Sequence, residues 1–201
     1  RITSAGLVGI GSDAPTHNLD IHASGNPYLK LLRSGYNPVY IGNAAGEGVI
    51  ETTGATFIKT GGSERLRITS GGKVLIGDDT AENTIGLNAN VQTFGTDAST
   101  SGVAIRRGSN DAQAAFLVMS KSRNASVGSR TIVNNGDEVG NIFFAADDGT
   151  DLVSNTAAIK SQVDGAPGAN DTPGNLSFWT TPDGSNTATQ KVTISNAGLM
   201  T

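Results

Sequence analysis

The sequence predicts a mostly β chain, built of short strand–turn–strand modules that complete their core with other chains. Three observations carry that expectation: one strand–turn–strand motif recurs along the chain, runs of β-forming residues alternate with glycine, and large apolar side chains are few. Hydrophobic residues make up 36% of the 201 positions and aromatics 5%, beside 27 glycines. Ordering a residue costs about 1–2 kcal/mol of backbone entropy, so this thin apolar inventory leaves a lone copy marginal. Charged residues reach only 16%, too few for a chain kept disordered by its charge.

The motif comes first. Arg1-Ile2-Thr3-Ser4-Ala5-Gly6-Leu7-Val8-Gly9-Ile10-Gly11 returns 66 positions later as Arg67-Ile68-Thr69-Ser70-Gly71-Gly72-Lys73-Val74-Leu75-Ile76-Gly77, with 8 of 11 residues identical. A degraded third copy, Val192-Thr193-Ile194-Ser195-Asn196-Ala197-Gly198-Leu199-Met200, closes the chain. In the second copy Leu66 and Ile68 alternate with Arg65, Arg67 and Thr69, which predicts a strand with one apolar face, expected to be its core face. Ser70-Gly71-Gly72 supplies the reversal, and Val74 and Ile76 resume the alternation beyond it. A two-stranded unit of this size is not stable alone in water and must stack on neighbours or on other chains. The unequal spacing of the copies predicts related modules with inserts of variable length, at 1–77 and 78–201, rather than a strict solenoid. Because the sequence opens and closes inside the motif, it reads as a segment of something longer.

The intervening elements follow in order. Tyr28–Leu32, Val39–Ile41, Val49–Glu51 and Thr56–Lys59 read as strands, punctuated by Gly35, Gly42, Gly46, Gly48 and Gly54. Val103–Ile105, Phe116–Met119, Asn141–Phe144 and Leu176–Trp179 continue the pattern. Asn134-Asn135-Gly136-Asp137 predicts a hairpin turn joining Thr131–Val133 to the strand near Ile142. Helix is a minor alternative at Asp111–Met119 and Asp151–Lys160.

Ser63-Glu64-Arg65-Leu66-Arg67-Ile68-Thr69-Ser70-Gly71-Gly72-Lys73-Val74-Leu75-Ile76-Gly77 resembles a module of bacteriophage tail-fibre and related virion structural proteins. There a Glu-Arg-hydrophobic-Arg-Ile step leads into a glycine turn and a Val-x-Ile-Gly strand. Pro15-Thr16-His17-Asn18-Leu19-Asp20-Ile21 is similar to the segment that trails that module. Gly140–Phe144, Asp148–Thr150, Val163–Gly165, Pro173-Gly174, Leu176–Phe178 and Thr180–Gly184 are similar to the family's longer insert. Gln190-Lys191-Val192-Thr193-Ile194 departs from the pattern, so the two arginines are not required in every copy. The resemblance implies a homotrimeric, elongated fibre shaft, of the β-prism, triple β-helix or interleaved β-sandwich kind, exposed on a virion. It would join neighbouring fibre segments of a longer chain and hold a receptor-binding tip. Nothing here matches the self-cleaving intramolecular chaperone that ends many relatives. Three chains pooling narrow apolar faces can also close a core that one cannot, and wrapping them about an axis hides strand edges. The alternatives are a fibre head that binds a host receptor or glycan, and the stalk of a bacterial trimeric adhesin.

Other functions find little support. With 14 basic against 18 acidic residues and no basic run, nucleic-acid binding is not expected. Cysteine is absent, and no apolar stretch approaches the roughly 20 residues of a membrane span. Gly9-x-Gly11-x-x-Ala14 matches a dinucleotide fingerprint, but that motif needs a helix at Pro15, where Thr16–Ile21 alternates like a strand. Gly72-Lys73 lacks the rest of a phosphate loop. His17 and His22, the two histidines, read as surface residues rather than a metal site. Asp147-Asp148-Gly149-Thr150-Asp151 looks like a calcium-loop fragment, yet Ala158 stands where the closing glutamate belongs, so an acidic turn is expected. Glu138, Asp147 and Asp151 are the candidate carboxylates for glycan cleavage, without an aromatic platform beyond Phe143 and Phe144. Trp179, alternating with Leu176 and Phe178, is expected on the opposite strand face, packed on a neighbouring module or open to a partner. The sequence thus predicts no enzyme, no cofactor, and no catalytic or metal-ligating residue.

Overall fold

A computed structural model of the chain describes residues 2–22, 28–31, 39–44 and 47–201. Arg1, Leu32, Gly35 and Gly46, all read above, lie outside the described residues. The described residues form thirteen strands and no helix. Two compact units divide the chain: Arg1–Ala81 with Asn90–Ser101, and Glu82–Ala89 with Gly102–Thr201.

The first unit holds three small sheets. β1 (Val8–Ile10) pairs parallel with β2 (Leu19–Ile21). β3 (Tyr28–Leu31), β4 (Val39–Ala44) and β5 (Glu47–Thr52) form an antiparallel meander. β6 (Thr56–Thr60), β7 (Ser63–Ile68), β8 (Val74–Ile76) and β9 (Val91–Thr93) form a third sheet, antiparallel until β9 joins β8 in parallel. The second unit is built on the antiparallel meander of β10 (Glu138–Ala145), β11 (Asn155–Val163), β12 (Gly174–Thr180) and β13 (Thr189–Ile194).

All three copies of the motif close the same five-residue turn. The amides of Thr3, Thr69 and Ser195 donate to the carbonyls of Leu7, Lys73 and Leu199, each at 2.9 Å. The hydroxyls of Thr3, Thr69 and Ser195 accept from the amides of those same partners at 3.0, 3.0 and 3.2 Å. Gly6, Gly72 and Gly198 take φ of 79°, 79° and 76°, the left-handed conformation that lets the turn reverse. The first two copies then share a second device absent from the sequence reading, the parallel strand. The Ile10 and Ile76 carbonyls accept the amides of His22 and Phe94, both at 2.8 Å. A Cβ on Gly11 or Gly77 would lie 2.1 or 2.2 Å from the carbonyl oxygen of His22 or Phe94, so only glycine admits that approach.

Most expected strands form, and the exceptions share a cause. Val103–Ile105, Phe116–Met119 and Thr131–Val133 form no strand, and neither Asp111–Met119 nor Asp151–Lys160 is helical. The Asn134–Asp137 turn forms, with Gly136 at φ 84°, but it has no strand on its N-terminal side. β-propensity records fit to a pleated surface, and among the described residues no strand pairs with these runs.

Register places Leu66, Ile68, Val74 and Ile76 on one face, as alternation predicts. Within the single chain that face stays open at Ile68 and Ile76, whereas Leu75 on the opposite face has none of its surface exposed. Among the described residues only Leu75, Ala158 and Val163 are buried hydrophobic residues.

Candidate functional site

The three larger sheets repeat one asymmetry. Register aligns Leu29, Ile41 and Ile50 across the β3–β5 sheet, and all three are exposed, Ile50 at 65%. The β6–β9 sheet presents Ile58, Ile68 and Ile76 in the same way. On the β10–β13 sheet Ile142, Leu176, Phe178 and Ile194 share a face, with Phe178 still 38% exposed. Ile50 and Ile68 also line a common groove of about 530 Å³ with Thr52 and Thr56, so the open faces of two sheets adjoin. Contiguous exposed apolar patches are uncommon on monomeric proteins.

The opposite faces carry cation–aromatic pairs, over a half-buried Tyr40, a Phe57 that stays 48% exposed and a half-buried Trp179. The Lys30 ammonium stands 5.6 Å from the Tyr40 ring centre. The Arg67 guanidinium stands 5.4 Å from the ring centre of Phe57 and grips Glu64 with two hydrogen bonds of 2.5 and 2.8 Å. The Glu64 bond raises the Arg67 pKa further. Lys160 places its ammonium 4.5 Å from the Trp179 ring centre and 5.5 Å from that of Phe143. Beneath them Ser177, fully buried, accepts the Trp179 indole N–H at 2.8 Å. Trp179 therefore packs on its own sheet. Cations over aromatic faces cover part of these sides with their own stems. The sequence reading missed these pairs, although Phe57 and Lys59 at i, i+2 were a visible sign.

Between β9 and β10, residues 101–133 run without strands. Arg107 clasps Asp111 through both guanidinium nitrogens and donates to the Gln113 carbonyl at 2.7 Å. That guanidinium, with the Gln113 amide and the Ser109 hydroxyl, holds the Asp111 carboxyl far below the usual range. Arg123 and the Asn134 amide do the same to Asp137. Met119 sits over Gly140, where an added Cβ would come within 2.8 Å of the methionine side chain.

The tempting motifs resolve into structure. Gly11 serves the parallel closure, and no helix follows it, so the dinucleotide geometry is absent. His17 and His22 flank β2, both exposed, the first sharing a hydrogen bond with the Thr16 hydroxyl and the second 3.8 Å from Asp20. In the Asp147–Asp151 turn the carboxylates accept their own backbone amides: Asp147 from Gly149, Asp148 from Thr150 and Asp151, and Asp151 from Val153. Glu138 and Asp147 stand beyond opposite ends of a strand spanning roughly 23 Å, too far for the 5–9.5 Å pairing of a glycosidase. Among the described residues no group of three acidic or histidine side chains could hold a metal.

Separate small sheets, the larger ones each with an exposed apolar row, make up an all-β fold. Two solved structures share it. The carboxy-terminal domain of the bacteriophage T5 L-shaped tail fibre superposes at a TM-score of 0.53 with 14% identity, over 88% of this chain and 78% of that one. The same T5 domain with its intra-molecular chaperone domain gives 0.54 and 14%, over 88% of this chain and 53% of that one. No protein family and no curated protein matches the sequence.

Proposed function

We propose that this chain is a structural segment of a phage tail fibre, carried outside the virion, in which three copies pool their open apolar faces into a shaft. Its role is to hold a receptor-binding tip at a distance, and it performs no catalysis. One observation carries the reading: each larger sheet exposes a set of apolar side chains that share one face across its strands. The tail-fibre fold supports it. Cyclic closure of identical copies about an axis covers such faces without leaving a sticky remainder.

A second reading has its own support, because both solved neighbours are named as the carboxy-terminal domain of their fibre. On that reading the segment is the receptor- or glycan-binding head. Light scattering behind size exclusion is expected to give about three times the 20.4 kDa chain mass, and a monomer would overturn the shaft. Saturable binding of the folded trimer to host bacteria would favour the head.

A further inference from the structure

We propose that Asn135 is a covalent self-modification site: the Asn135-Gly136 step deamidates when the end of the β10–β11 ladder opens, and the hydrogen bonds of the closed ladder end hold it back. The inference goes beyond the fibre reading and concerns a single copy of the chain.

Two adjacent residues set the chemistry. Asn135-Gly136 is the one Asn-Gly step in the sequence, and glycine has no side chain to shield its nitrogen or restrict its backbone. The Gly136 nitrogen, freed of its proton, attacks the carboxamide carbon of Asn135. The new N–C bond closes a succinimide ring, the carboxamide C–N bond breaks, and ammonia leaves with the proton that Gly136 gave up. Water then adds to the ring and opens it to aspartate or isoaspartate.

The fold occupies both reacting groups. The Gly136 N–H donates to the Val163 carbonyl at 2.8 Å, and Val163 is buried. The Asn135 Oδ1 accepts the Gly165 amide at 2.9 Å. The nitrogen is thus directed at residue 163 and the carboxamide at residue 165, and the proton that must leave is held by a carbonyl. Asn135 itself is exposed, so water for the second step is at hand.

The surrounding bonds keep this arrangement closed. The Val163 amide donates to the Asp137 carbonyl at 2.9 Å. The Asp137 carboxylate accepts the Asn134 amide at 2.9 Å and two Arg123 nitrogens at 2.7 Å each. Arg123 is therefore a positioning residue for the turn. Ladder ends open locally at a fraction of the cost of global unfolding. Isoaspartate lengthens the main chain by one methylene and moves Gly136 off Val163, so the site keeps a permanent record of that opening.

The test incubates the full chain in mildly alkaline buffer, folded and in urea, and follows the peptide holding Asn135 by mass spectrometry with aspartate and isoaspartate separated. The folded chain is expected to deamidate there at least about tenfold more slowly, since open ladder ends are a minor population. Arg123→Gln leaves the Asn-Gly step untouched, and is expected to be several-fold faster than the parent when folded and equal to it in urea. Equal rates for the folded and unfolded parent would overturn the proposal. A folded rate that falls as chain concentration rises would overturn it too, because neighbouring copies would then be the shield. An unchanged folded rate in Arg123→Gln would overturn the part assigned to the clasp.

Discussion

Gly11 and Gly77 show how one backbone position can hold a module together. Each combines a left-handed φ, 71° and 93°, with a carbonyl lying where a side chain would start. Gly72 shares the φ but faces open space. Gly72→Ala is expected to cost about 1–2 kcal/mol from conformation alone, while Gly77→Ala adds overlap for about 2–5 kcal/mol in all. Thermal melts at matched protein concentration check this, and equal losses would mean that β8 and β9 do not approach so closely in solution. The five-residue turns were legible in the sequence, because Thr or Ser at the first position and glycine at the fourth are side-chain requirements. The parallel pairing was not. Gly11 and Gly77 were visible as glycines, but a residue's letter does not name the carbonyl it must admit.

Strands were legible where a partner lies nearby in the chain, as for Thr56–Thr60 and Gly174–Thr180. Val103–Ile105 and Phe116–Met119 have the same composition and no intrachain partner, so propensity alone misplaced them. Alternation also grouped Leu66 with Ile68 correctly, but it does not say what covers that face, since burial depends on what lies opposite. That distinction has a measurable consequence for Ile68, 44% exposed in the single chain. Ile68→Asp is expected to leave the circular-dichroism signature of β structure in place while abolishing or sharply weakening assembly, because the carboxylate would enter a shared apolar core. A variant that assembles and melts like the parent would show that this face stays wet.

The candidate site was the least legible part, because it is made of what the chain leaves uncovered rather than of any motif. Composition foretold the shortage of core, and the scarcity of buried apolar residues agrees with it, but only register shows where the bare faces lie. A protein whose core forms between copies has no stability independent of concentration. Its melting midpoint is expected to rise with total chain concentration over a hundredfold range, provided that unfolding is reversible. A midpoint that does not move would place the stabilising contacts inside each chain.

The parallel joints carry a further implication, for how such a gene changes. β2 leaves its module in the same direction as β1, and β9 in the same direction as β8, although the connections differ in length, residues 11–18 against 77–90. What enters each joint therefore leaves it on the same heading. The longer β8–β9 connection does more than bridge its strands, because its Ile85 amide donates to the Leu152 carbonyl at 2.9 Å, so exchanging that insert is expected to disturb the segment between β10 and β11 as well.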